Sequence, residues 1–513
     1  MAAHPELELH ALYVLRDGAP VFEQYWAPYE AGDRPLVYSA SKTFAATAVG
    51  LAIGEGRFSL DDRLVDLLAD RSGAGALRDA GSLARSGSGS SGSAGGETVP
   101  EELARNALRD AQLRRLSGAP QDPRASRRAD GRIAELTVHH LLSMSTGHTE
   151  DTLPIITEAP PEQWAERFLT IRPQRPAGSW HVYNNGASFM LGELVRRHTG
   201  EDLLDYLRPR VLEPLGIDAT WDRDPLGRCL GWTGLHVDVR GLAKLGELLR
   251  CDGAWRGRRL LPEGWVARAT AKQIPTESDS PEWTFGYGYQ VWMGREGFRL
   301  DGAYGQFAFV LPERGMVVAI QSAQSCTQVL IDLLWEHLGA FPLVQPQRMV
   351  ETGETAEFVS TSSTNRVVEL VETRVPVPPD SGFGTDWACA GPVPHDPAMV
   401  DPGEEAGEPA AVADVQAHRD HDGIQVVLVA DGHVVELVAT PGEWRRQHLR
   451  LGEADVPVAV AAGADEAGDL QVRLVFTDTP HTLRLRLRTD GTAAQAWKVN
   501  PLQGPGLAAM RAH

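Results

Sequence analysis

A serine followed three positions later by a lysine at the start of a helix is the sharpest chemical signal in this chain, in Val37-Tyr38-Ser39-Ala40-Ser41-Lys42-Thr43-Phe44. That spacing puts both side chains on one helix face, a turn apart. A lysine there can take the serine proton if it is neutral. Burial and the positive end of the helix both disfavour its charged form. The same helix end favours negative charge developing on a substrate oxygen. Of 49 basic residues only four are lysines, Lys42, Lys244, Lys272 and Lys498, so the bias to arginine points to a GC-rich coding sequence and makes each lysine worth explaining. With 24 serines, such sparse lysines give roughly 0.2 chance matches to this spacing. Alone, the pair also fits a helix capped by Ser39 with Lys42 on the surface.

The second candidate is Tyr183-x-Asn185 within PAGSWHVYNNG, leading into the amphipathic ASFMLGELVRRHTG. A phenol and an amide at one helix start can relay a proton and orient a lysine or a carbonyl. The plainer alternative is a turn with Tyr183 packed and Asn185 capping the helix. His139, His140 and His148 invite a metal reading, but adjacent histidines cannot share a helix face at ligand spacing and no acidic partner completes a set. No metal or organic cofactor is therefore expected, and His148 is expected to support a loop. Trp180, Trp232, Trp283 and Trp292 read as core or cleft wall. Asp61-Asp62 reads as a solvated turn and Asp238 as a helix cap.

These residues need elements to hold them. Strands are expected near Leu9 to Arg16 and Val21 to Trp26, joined at Asp17-Gly18, then a helix from Ser41 to about Glu55. A helix is expected around Val138 to Ser143, and helical patterns dominate from Glu162 to Gly253. GYGYQVWM, FAFVLPE and GMVVAIQ read as strands, and Thr327 to Leu338 as a last helix. SGSGSSGSAGG marks a low-complexity insertion at about 73–97, and a helical pattern resumes at 101–116. Residues 343–381 read as a linker, with a repeat-like VSTSSTNRVVELVET. From Gly382 on, GIQVVLV, HVVELVA, LQVRLVF, HTLRLRLR and AAQAWKV suggest a small β-sandwich or barrel at 382–513, without visible chemistry.

The two motifs together resemble the serine β-lactamase and penicillin-recognising family, in its class C, esterase and D-aminopeptidase branch. ELHALYVLRDGAPVFEQYWAPY is similar to the family's opening hairpin, GRFSLDDRLVDLL to the segment after its nucleophile helix, and ELTVHHLLSMSTGH and GWTGLHVDVRGLAKLGELL to two later blocks. The resemblance spans about residues 7–340. It implies an α/β, β-lactamase-like (DD-peptidase) fold over 1–342: an antiparallel sheet flanked by helices plus a helical subdomain, followed by the all-β C-terminal domain. By position, Ser39 resembles the acylated nucleophile, Lys42 its base partner, Tyr183 the second acid/base and Asn185 the orienting amide.

The third family motif, Lys-Thr-Gly or His-x-Gly, departs here. Leu300-Asp301-Gly302 occupies its place, with Leu300 where the cation would stand, and Arg299 could compensate if it points inward. GAYGQ resembles the Gly-Ile-His-Gly-Gln of 6-aminohexanoate-dimer hydrolases, which implies an oxyanion hole built from the Ser39 and Ala303 backbone N–H groups. The reading is a cytoplasmic serine hydrolase of small esters or amides. β-Lactamase or DD-peptidase activity, or a silent binding protein on the same fold, are the alternatives.

The totals bound the partners. The chain has 513 residues, 42% apolar and 23% charged, so it suits a globular protein of two or three domains. A formal net charge of -20 argues against nucleic acid or anionic membrane as partner. No run of about 18 apolar residues is present, no secretory signal is visible at the start, and four scattered cysteines suggest a reducing compartment.

Overall fold

The computed structural model describes residues 7–69, 131–338 and 412–511, with Pro378, Asp386–Ala388, Val393 and Met399. The expected insertion at 73–97, the helical pattern at 101–116 and nearly all of the linker at 343–381 lie outside the described residues.

Six antiparallel strands form the first sheet, in the order Ala19–Tyr25, Leu9–Arg16, Met316–Ser322, Gln306–Leu311, Phe298–Gly302, Trp292–Met293. The first two strands are local, a hairpin turning at Asp17-Gly18. Leu9–Arg16 then pairs with Met316–Ser322, Tyr13 opposite Ala319, and this closes the first part of the chain into one body. Both faces are covered, so the central strands are apolar throughout. Ala308, Val310, Val317 and Ala319 face the main core. Their alternates Phe307, Phe309, Met316, Val318 and Ile320 pack with Leu330, Ile331 and Trp335 of the Thr327–Leu338 helix. The Val239–Arg250 helix covers the other face, capped by Asp238, which accepts from Gly241 N at 2.7 Å. Gly246 permits that packing, since a Cβ there would lie 2.8 Å from Val317 Cγ1.

The Ser41–Gly54 helix is buried from Ser41 through Ala52. A helix apolar all round belongs in a core. Neither serine caps it by side chain; Ala40 occupies the cap position, and Ser41 Oγ donates to Tyr38 O. The GYGYQVWM stretch forms only the short strand Trp292–Met293, because Tyr287 makes isolated bridges and Gln290 sits at φ 56°.

The C-terminal strands form two antiparallel sheets around one apolar core. One holds Asp386–Ala388, Val412–Arg419, Ile424–Ala430 and His433–Ala439; the other holds Arg445–Leu451, Ala454–Ala464, Leu470–Phe476, Thr482–Leu487 and Ala493–Trp497. Ala454–Ala464 escapes a sequence reading because it is alanine-rich and mostly buried, which erases the alternation. This region packs on the first. Tyr29 sits with Ala459 and Val475, Arg446 pairs with Asp33 and Glu30, and the buried Lys498 ammonium lies 3.0 Å from Glu8. Burial works to raise the Glu8 carboxyl, but Lys498 and His10 together hold it well below the usual carboxylate range.

Candidate active site

Ser39 ends up partly exposed in a short 3-10 turn, Tyr38–Ala40, while Lys42 one turn on is buried. Lys42 Nζ lies 3.0 Å from Ser39 Oγ and donates to the Trp232 carbonyl at 2.7 Å. Burial lowers the ammonium from its ordinary 10.5 to about 7, with Asp151 and Asp301 pulling the other way. A surface-charge role for Lys42 is thereby excluded.

Tyr183 brings its ring within 4.8 Å of Lys42 Nζ and stacks on Trp292 at 5.9 Å. Burial pushes its phenol up, and a hydrogen bond with Ser39 offsets part of that rise. Ser39, Lys42 and Tyr183 therefore meet, 144 positions apart in sequence at the extremes. The helix that follows, Asn185–Thr199, is capped by Asn184 rather than Asn185: Asn184 Oδ1 accepts from Ala187 N at 3.2 Å. Asn185 is left to face Asp151, to which it donates from its backbone N (2.8 Å) and its Nδ2 (2.7 Å). Asp151 also accepts from Leu153 N at 3.0 Å and Gly186 N at 3.3 Å. No local pattern marks Asp151 in the sequence; its role comes from the Asn185 helix arriving beside it.

On the strand edging the site, Leu300 is fully buried in the main core. Arg299 and Asp301 share the opposite face, as strand alternation requires. Arg299 is buried too, but its charge is engaged: Nε donates to Asp301 Oδ2 at 2.9 Å, and Nη1 donates to the Glu282 carbonyl at 3.1 Å. Trp283 Nε1 donates to the same Asp301 oxygen at 3.1 Å. Burial raises the Asp301 carboxyl, and Arg299 opposes the rise. Arg299 is fully buried and held by these neighbours through Nε and Nη1, while its Nη2 meets no partner among the described residues; none of this shows it facing the cleft as a substitute for the missing cation. What this strand turns toward Lys42 is a carboxylate.

Gly302 lets the strand reach the turn that carries Ser39, since a Cβ there would lie 2.2 Å from the Val37 carbonyl oxygen. Ala303 follows, and among the described residues its N–H meets no acceptor. The Ser39 N–H lies in the first turn of its helical segment, where no preceding carbonyl is placed to accept it. Each of these amides is flanked by an aromatic residue in the left-handed region, Tyr38 at φ 47° and Tyr304 at φ 63°. Such conformations cost about 1–3 kcal/mol each and persist only where surroundings enforce them.

The histidines serve structure. His139 Nδ1 meets Tyr289 OH at 2.7 Å, His140 closes a capping box with Thr137, and buried His148 ties Thr146 to the Ile171 carbonyl. The one acidic and histidine group with ligand spacing among the described residues, Asp420-His421-Asp422, is an exposed turn far from this site in sequence.

Comparisons with known proteins identify the family of this chain. Among solved structures, a putative 6-aminohexanoate-dimer hydrolase from Bacillus anthracis is 18% identical, covering 66% of this chain and 82% of that one, with a TM-score of 0.45. SurE, solved with D-Leu, is 17% identical and covers 95% and 96%, with a TM-score of 0.47. An octameric penicillin-binding protein homologue from Pyrococcus abyssi is 13% identical and covers 92% and 95%, with a TM-score of 0.42. The family model described as Beta-lactamase matches residues 10–327, from the first strand of the sheet to the start of its last helix. A match over that span, more than half of the chain, means that the protein belongs to the Beta-lactamase family.

Proposed function

We propose that the protein is a serine hydrolase that forms an acyl-enzyme on Ser39 and acts on small esters or amides. The observation that carries this reading is the buried Lys42 amine, 3.0 Å from Ser39 Oγ and brought to about 7. Near neutral pH such an amine is uncharged about half the time and can accept a proton.

Ser39 Oγ attacks the substrate carbonyl carbon while its proton passes to Lys42. The oxyanion is held by the N–H groups of Ser39 and Ala303. As the tetrahedral intermediate collapses, the bond to the leaving group breaks, and that group takes the Tyr183 phenol proton, which Lys42 replaces. A phenol raised by burial keeps its proton at rest, which suits Tyr183 to giving it rather than taking the first one. Water then repeats the cycle, losing its proton to the same pair and releasing the acid. Asn185, whose Nδ2 donates to Asp151, is assigned the part of orienting substrate.

Leu300 in the core, and Arg299 bound to Asp301 and Glu282, weigh against a dedicated β-lactamase or DD-peptidase whose substrate carboxylate needs a cation on this strand. No helix among the described residues is long and apolar enough to cross a membrane. The scattered cysteine spacing keeps a cytoplasmic setting within the proposal.

Treatment with a fluorophosphonate, followed by peptide mass spectrometry, tests the reading. A phosphonyl adduct on Ser39, absent in Ser39→Ala and strongly slowed in Lys42→Ala, is expected together with p-nitrophenyl acetate hydrolysis. Neither labelling nor turnover would overturn it.

A further inference from the structure

We infer that the C-terminal β region sets the geometry of the oxyanion hole, with His481 and Gln503 as positioning residues that act through Tyr38 and Tyr304. This deepens the proposed function and rests on it.

The two amides assigned to the hole belong to Ser39 and Ala303, and each has a tyrosine next to it in the chain. Both tyrosine hydroxyls reach across to the C-terminal region. Tyr38 OH lies 2.5 Å from His481 Nε2 and 2.7 Å from the Gln503 side-chain amide. Tyr304 OH donates to the Asn500 carbonyl. The three rings form a closed edge-to-face cluster, with centroids 5.6 Å apart for Tyr38 and Tyr304, 5.9 Å for Tyr38 and His481, and 5.7 Å for Tyr304 and His481. One imidazole from the C-terminal region therefore wedges against both arms of the hole.

The contact is directional. Buried His481 is held neutral, burial lowering it to about 3, and its Nδ1 lies 3.2 Å from the Val499 carbonyl. That bond uses the ring's single N–H, so Nε2 accepts, and the one phenol proton of Tyr38 goes to it. Gln503 stands with its Oε1 at the phenol oxygen; with the phenol proton given to His481, the proton count calls for the flipped amide, whose NH2 end then completes that oxygen. Two residues before Tyr38, Leu36 N donates to the Asp478 carbonyl at 2.8 Å, so the backbone leading into Ser39 lies along the 478–481 loop. Tyr38 and Tyr304 both hold a backbone conformation that bulky residues avoid. The hydrogen bonds and ring contacts from the C-terminal region are what keep them there. Without them each backbone relaxes, and its neighbouring amide turns away from the point where the oxyanion forms.

The full-length chain tests this with Tyr304→Phe, Gln503→Leu, His481→Leu and the conservative His481→Gln, each checked for an unchanged unfolding midpoint before assay. For p-nitrophenyl acetate we expect Tyr304→Phe and His481→Leu to lower kcat by about 10- to 100-fold, short of the roughly 10²- to 10³-fold loss when a donor is deleted outright. KM should stay within about twofold, since ground-state binding does not use the hole. Phenylboronic acid supplies the second readout: its boron bonds Ser39 Oγ, the serine proton leaves to Lys42, and one B–OH oxygen occupies the hole. Its Kd should weaken by the same factor as kcat, with Gln503→Leu intermediate and His481→Gln recovering most of the loss.

Folded variants with wild-type kcat and boronate affinity would overturn the inference, as would a loss carried by KM alone. The wild-type control separates the two ideas. Absence of fluorophosphonate labelling on Ser39 in the wild type removes the hydrolase reading and this inference together. Normal wild-type labelling with indifferent variants removes only the inference.

Discussion

Lys42 offers the most demanding prediction. With the amine at about 7, roughly half of the molecules carry a neutral base at pH 7, against about one in 3,000 for a lysine at its ordinary 10.5. Burial alone thus supplies about three orders of magnitude in available base. Because the proposed mechanism needs the deprotonated form, kcat/KM for p-nitrophenyl acetate should rise tenfold per pH unit below about 7 and level off above it. Asp151 and Asp301 both favour the charged form, so Asp301→Asn should move that limb to lower pH. Lys42→Arg cannot lose its proton and should fall by about 10²- to 10⁴-fold at every pH. Stability must move the other way. The lowered folded-state value means that the unfolded chain binds the proton more tightly, so Lys42 destabilises the fold fully below about 7 and progressively less as pH approaches 10.5. Lys42→Met should therefore be inactive yet more stable, by on the order of 4 kcal/mol below pH 7, with the gap closing toward pH 10.5. Stopped-flow rates from pH 5 to 10 and urea unfolding at three pH values check both halves. A rate still climbing at pH 10, or a Lys42→Met protein less stable than wild type at pH 6, would refute the argument.

Other perturbations are equally direct. Lys498→Met strands the buried Glu8 carboxylate and should cost about 3–5 kcal/mol in urea unfolding, largely recovered by the Glu8→Gln, Lys498→Met double variant. The same pair predicts acid sensitivity: the Glu8 contribution is complete above its unfolded value near 4.5 and is lost as pH falls below it. Gly302→Ala drives a methyl toward the Val37 oxygen, pushing Ala303 from Ser39, and should lower kcat/KM by about 10²-fold with little change in secondary structure by circular dichroism. Asp151→Ala leaves four donors without their acceptor and should cost about 2–3 kcal/mol, read by thermal denaturation, while its pH–rate limb shifts downward.

Much of this was legible without coordinates. The Leu9–Arg16 strand and the Thr327–Leu338 helix fall where periodicity puts them, because two-residue and 3.6-residue patterns are written in consecutive side chains. Ser39 and Lys42 share a face because helix geometry fixes residues three apart. The C-terminal region reads as β from alternation alone, although no chemistry is visible in it. Arg299 shows the limit: alternation puts it on the face of Asp301, but only the strand's neighbours decide that both are buried and bound to one another. Asn184 and Asn185 are adjacent and chemically identical, and which one caps the helix depends on Asp151 arriving from 34 positions away.

The sequence by itself therefore determined the family and the shared helix face of Ser39 and Lys42, since these are carried by motifs and spacing along the chain. The tertiary structure alone decided that Lys42 is buried, that Asp151 and Asp301 act on its charge, and that His481 lies against both Tyr38 and Tyr304. Those are consequences of dielectric and distance. Both are set by which distant segments pack together, and no local pattern encodes that.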